Sequence, residues 1–78
     1  MHEFHIQFRS FRDVLDFVNL AAKQPQKLRV GGDWFQVNGT SFMGMFALNC
    51  RKAQKVTVDC SEEELNALLE TFDRFVVK

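Results

Sequence analysis

Polar and apolar positions alternate or recur along the chain in ways that predict seven elements. From Phe4 to Phe8, Phe4, Ile6 and Phe8 fall on one side and His5 and Gln7 on the other, the two-residue period of a strand with one wet face. Ser10 stands three residues before Asp13 and reads as the N-cap of a helix. Its apolar stripe is Phe11, Val14, Leu15, Val18, Ala21 and Ala22. Pro25 ends that helix near Lys23 or Gln24, because proline lacks a donor and restricts the residue before it. Leu28 and Val30 alternate with Lys27 and Arg29 in a second strand, and Gly31-Gly32-Asp33 is a strong turn signal. A third short strand turns Phe35 and Val37 inward and Trp34 and Gln36 outward. Asn38-Gly39-Thr40-Ser41 supplies a turn and a cap for a brief helix over Phe42 to Leu48, weakened by Gly44. Lys55 to Cys60 alternates as a fourth strand. Ser61 and Glu64 then form a capping box, and Glu62, Glu63 and Glu64 lie where the helix dipole favours anions. Leu65, Leu68, Leu69 and Phe72 make the buried stripe, with Phe75 and Val76 extending it. The order β-α-β-β-α-β-α predicts an α+β open-faced sandwich, three helices on one face of a four-stranded antiparallel sheet.

Composition narrows the possibilities. The 78 residues suit one domain over 1–78, and nine Phe and one Trp give it enough apolar bulk for a core. Ten basic residues balance ten acidic ones, unlike the basic footprint of a duplex-binding protein. An open sheet with exposed aromatics could still stack single-stranded bases, but the even balance weighs against it, and no nucleic-acid partner is expected. No apolar run approaches the roughly 20 residues of a membrane span, and His2 and Glu3 interrupt any leader-like run at the start. A cytoplasmic location is therefore expected, with Cys50 and Cys60 as reduced thiols. The two cysteines and two histidines lack metal-ligand spacing, so no metal site and no cofactor is expected. Nor is a nucleophile–base or carboxylate pair of an enzyme legible.

The run Ser41-Phe42-Met43-Gly44, within Val37 to Leu48, resembles the regulatory-serine region of HPr proteins, phosphocarriers of the bacterial phosphotransferase system. In those proteins a Ser-Ile-Met-Gly run opens a short second helix. The element order agrees with that fold, and Phe17 to Ser41 can be laid on the family pattern without a gap. The same register carries the family's Gly-x-His-Ala-Arg-Pro motif onto Phe8, Arg9, Ser10, Phe11, Arg12 and Asp13, of which only Arg12 matches. Ser10 thus stands at a degenerate phosphohistidine position. A serine hydroxyl has no basic nitrogen to accept and return a phosphoryl group, and Asp13 adds negative charge where the phosphate would sit.

The resemblance implies that Ser41 is a site of regulatory phosphorylation by an HPr kinase/phosphorylase. The alternative is that Ser41 or Thr40 simply caps the short helix. Thr40 is neutral where the family often places a basic residue before this serine. Phe42 and Met45 are read as facing the core, with Met43 and Phe46 left outward as a partner-binding patch; the alternative packs all four inward. Arg12 is a further candidate, able to hold an anion beside Ser10. The plainer readings are a cap for Ser10, a surface residue for His5, a loop thiol for Cys50 and a buried strand-end thiol for Cys60. Trp34 is either an exposed hairpin tip or a cover for the sheet edge. The function expected from all this is a non-enzymatic, HPr-like regulatory or interaction module. Its partners would be proteins such as an HPr kinase/phosphorylase or a transcriptional regulator, with a phosphorylation-independent binding scaffold as the alternative.

Overall fold

Register converts the alternating strands into one wall of a core. In the computed structural model, which describes residues 1–32, 34–48 and 52–77, the elements run β1 (His2–Ile6), α1 (Phe11–Ala22), β2 (Leu28–Gly31), β3 (Gln36–Asn38), α2 (Phe42–Phe46), β4 (Gln54–Val58) and α3 (Glu62–Thr71). The strands form a single antiparallel sheet in the order β1-β4-β2-β3. Val56 lies between Phe4 and Val30, and Val58 pairs with Leu28, so these side chains and Ile6 share one face and are all buried. The opposite face carries Glu3, His5, Arg29, Lys55 and Thr57, and none of these is buried. The three helices therefore cover one face, as the alternation predicts.

The core behind that face is mostly aromatic. Phe17, Phe72 and Phe75 are fully buried, and Phe8 joins them. The Phe17 ring lies 4.9 Å from Phe72 and edge-on to Phe8 and Phe75, at 5.6 and 5.8 Å. The buried stripe of α1 is Val14, Phe17, Val18 and Ala21. This corrects the sequence reading at four residues: Phe11 and Ala22 are exposed, Leu15 is only half-buried, and Phe17 takes the central place. The spacing 14, 17, 18, 21 is one helical face, whereas Phe11 projects at the open end of the helix. In α3 both halves of the capping box between Ser61 and Glu64 are made. Leu68 and Phe72 are buried, with Leu65 and Leu69 half-buried against the same cluster.

Both edges of the sheet are set by short segments. The Gln7 amide donates to the Phe75 carbonyl at 2.8 Å, the Val77 amide to His5 at 2.9 Å, and Ile6 bridges Val76. The segment 75–77 thereby covers the C-terminal end of the outer edge of β1. At the other side, β2 and β3 form a hairpin whose Gly31 adopts φ +150°, and a Cβ there would come within 2.1 Å of the Phe35 carbonyl oxygen. The Gly32 amide donates to that same oxygen at 2.9 Å. Phe35, expected inward, is exposed at the tip of the hairpin, where it closes the turn one residue before β3. Trp34 beside it is 100% exposed, which decides for the exposed tip. Asp33 of the turn signal and Cys50 lie outside the described residues. Cys60 is half-buried one residue past Asp59 rather than inside a strand.

Candidate functional site

The turn into α2 is built on Asn38. Its Oδ1 accepts from the Thr40 amide at 3.0 Å and the Thr40 hydroxyl at 2.7 Å, while its carbonyl accepts from the Ser41 amide at 3.0 Å. Ser41 then caps α2, its Oγ accepting from the Gly44 amide at 3.1 Å. Gly44 is forced by proximity, since a methyl group there would lie 2.9 Å from the Val37 Cβ. With Met45 fully buried, the remaining large side chains of the helix turn outward: Met43 is 82% exposed, Phe42 40% and Phe46 39%. Phe42 was expected in the core. A five-residue helix pressed against β3 through Gly44 has room to bury only Met45.

The N-terminus of α1 is arranged differently from the sequence expectation. Ser10 is in extended backbone at the N-cap position, yet its hydroxyl makes no capping bond. The Asp13 carboxylate, in the first turn, instead reaches back out of the helix, its Oδ2 accepting from the Arg9 amide at 2.9 Å. Its other oxygen pairs with the Arg74 guanidinium, which also reaches Asp16 at 3.3 Å and lies over the Phe75 ring at 4.6 Å. The Arg9 amide above all, and then Arg74, hold the Asp13 carboxyl below the usual carboxylate range despite some desolvation. The place where an incoming anion would meet the helix thus already contains an ionised carboxylate. Arg12 is exposed and, among the described residues, has only a loose 3.7 Å contact to Asp16, one turn on.

These two helix ends meet. The Phe11 ring, 67% exposed, stacks on Phe46 with centroids 4.7 Å apart and planes 30° apart, and Phe42 follows at 6.3 Å from Phe46. Phe11, Phe42, Met43 and Phe46 therefore form one exposed apolar surface, with Ser10 and Arg12 on the α1 side and Ser41 on the α2 side. Phe11 and Phe42 were the members missed from sequence. The signal available was the run Arg9-Ser10-Phe11-Arg12, an aromatic residue set among polar ones. Nothing in the sequence points to Arg74, 61 residues from Asp13.

The other candidates lie elsewhere. His5 is exposed on the sheet face away from the helices, opposite Lys55 in the ladder. Burial, and then Glu64, push the Cys60 thiol up from its usual value, the direction of an unreactive thiol. Among the described residues no group of three His, Cys, Asp or Glu side chains is arranged to hold a metal ion, and no helix is long and apolar enough to cross a membrane.

Comparison with known proteins agrees with this fold. The sequence pattern of a family described as "PTS HPr component phosphorylation site" matches residues 11–78. Among solved structures, HPr-C-His from Thermoanaerobacter tengcongensis is similar at a TM-score of 0.71 and 26% identity, covering 94% of this chain and 92% of the other. A phosphocarrier protein HPr from Bacillus anthracis shares the fold at a TM-score of 0.64 and 23% identity, covering 90% and 92%. No curated protein matches by sequence.

Proposed function

This chain belongs to the HPr family of the phosphotransferase system, and we propose that within it the protein is a non-enzymatic regulatory and docking module that does not relay phosphate. The observation that carries the reading is the N-terminus of α1. Ser10 offers no nitrogen for a phosphoryl group, and the carboxylate of Asp13, held by the Arg9 amide and Arg74, stands in the anion's place. A phosphoryl group approaching there meets like charge in a site already satisfied. The aromatic surface beside it is intact and exposed, which suits a domain that has given up the chemistry and kept the contact. On this reading the module works in the cytoplasm. It engages partner proteins, such as a kinase or a transcriptional regulator, through Phe11, Met43, Phe46 and Arg12.

Ser41 is the point of control in this reading. A phosphoryl group on its Oγ would place about two negative charges beside Phe42 and Met43, changing the surface a partner meets. The alternative, a scaffold that binds independently of phosphorylation, is favoured by the bond Ser41 already makes to the Gly44 amide, which gives its hydroxyl a structural use.

Two incubations test the proposal. With phosphoenolpyruvate and the enzyme that charges HPr histidines, the intact mass should not change; acid-labile phosphate on His2 or His5 would overturn the reading. With ATP and an HPr kinase/phosphorylase, one phosphate should be added and should disappear in Ser41→Ala. An unmodified wild-type protein would leave the phosphorylation-independent scaffold.

A further inference from the structure

The two edges of the sheet are not alike. The edge of β1 is covered at its His5–Gln7 end by residues 75–77, whereas that of β3 has no backbone partner among the described residues. The hydrogen-bond parity of the hairpin shows which groups are bare. Gly39 donates to Leu28, and Gly32 to Phe35, so the bonded pairs of this antiparallel ladder are 28/39, 30/37 and 32/35. Val37 therefore faces β2, and the amides of Gln36 and Asn38 and the Gln36 carbonyl point out of the sheet, without partners among the described residues. No charge or proline guards this strand, as commonly happens at exposed edges.

The surroundings of the edge select a kind of partner. Just before it, Trp34 is wholly exposed and Phe35 largely so. Alongside it runs a cleft of about 200 Å³ lined by Lys27, Leu28, Arg29, Gln36, Val37 and Asn38. It holds two cations and no carboxylate, and neither Lys27 nor Arg29 has an ion-pair partner among the described residues. The acid of the neighbouring hollow, Asp59, follows β4, two strands in from the edge. The Gln36 side chain is drawn away from the edge, reaching over β2 to Thr57 at 3.4 Å.

We propose that the outer edge of β3 docks an extended acidic peptide segment of a partner protein, added as a fifth strand. Its backbone pairs with Gln36 and Asn38, its carboxylates meet Lys27 and Arg29, and an apolar residue rests on Trp34 and Phe35. This surface is separate from the α1–α2 patch, so the chain has two faces for two partners.

The test is a titration of the ¹⁵N-labelled full chain with the blocked peptide Asp-Glu-Val-Thr-Val-Phe, and with a control in which both acids are lysine. The acidic peptide should shift Trp34, Gln36 and Asn38 saturably and slow amide exchange at Gln36 and Asn38 by about threefold or more. Arg29→Glu should weaken it by about fivefold or more and favour the lysine control. Gln36→Pro, which removes the outward-pointing amide together with the side-chain contact to Thr57, should abolish the exchange protection at Asn38. Shifts confined to Phe11, Phe42, Met43 and Phe46, equal binding of the lysine control, or no saturable shift would each overturn the proposal. So would concentration-dependent shifts at β3 without peptide, because the edge would then serve a second copy of this chain.

Discussion

At the scale of single residues, Asp13 and Gly44 carry the sharpest consequences. Asp13 is ionised and doubly held, so its carboxyl titrates lower in the folded than in the unfolded chain. A lowered folded value means that its stabilisation is complete above the unfolded carboxyl range, near about pH 4, and is lost as the pH falls through the folded value. Asp13→Asn should therefore cost about 0.5–1 kcal/mol at pH 7 and nothing at the acid end of a series of urea melts. A deficit that persists undiminished at low pH would assign the effect to shape instead of charge. Glu64 behaves in the same sense, because the Ser61 amide and Gln26 hold its carboxyl down. At Gly44 two tendencies oppose each other. Alanine in an exposed helix normally gains about 1 kcal/mol over glycine, but here its methyl would press on Val37 at 2.9 Å. Overpacking of this kind costs about 1–3 kcal/mol, so Gly44→Ala should lower the melting temperature, and a rise would refute the contact.

At the scale of elements, the two helices that meet at Phe11 and Phe46 divide cleanly from the core behind them. Met43→Ala should change stability by no more than about 0.5 kcal/mol, and Phe46→Ala by about 1 kcal/mol, the worth of a stacked ring pair. Phe72→Ala, in the buried cluster, should cost about 3–5 kcal/mol. Similar losses for all three in denaturant melts would move the patch into the core and remove the case for a docking surface. The elements themselves were legible in the sequence, since period and caps agree wherever an element is long enough to express them. The capping box of Ser61 and Glu64 formed as read, and so did the inward set Phe4, Ile6, Leu28, Val30, Val56 and Val58. Most of what failed did so at element ends, Leu15 and Phe17 inside α1 being the exceptions. Phe11 obeys the helical period but lies where α1 outruns the core, and Phe35 obeys the strand period but lies where β3 has not yet begun. Periodicity assigns a face and says nothing of how far the opposite wall extends. Ser10 does stand at the N-cap of α1, as read, but without a side-chain bond, and the neighbouring carboxylate of Asp13 pairs with Arg74, brought in by the far end of the chain.

For the whole molecule, the distribution of aromatic rings decides what can be observed. Eight of the nine phenylalanines were placed by the sequence reading in a core or a patch, and seven of the nine rings stay in contact with another. The lone tryptophan does not join them. Trp34 is wholly exposed at the hairpin tip, and the chain contains no tyrosine. Its indole therefore meets water in the folded and unfolded chain alike, and thermal unfolding should leave the emission maximum nearly fixed while far-ultraviolet circular dichroism falls away. A large red shift on melting would mean that the ring is sheltered in solution. The same isolation makes Trp34 a clean natural fluorophore: with no background from buried indoles, a blue shift or loss of quenching by iodide would report that something has settled on the β3 hairpin and on no other part of the protein.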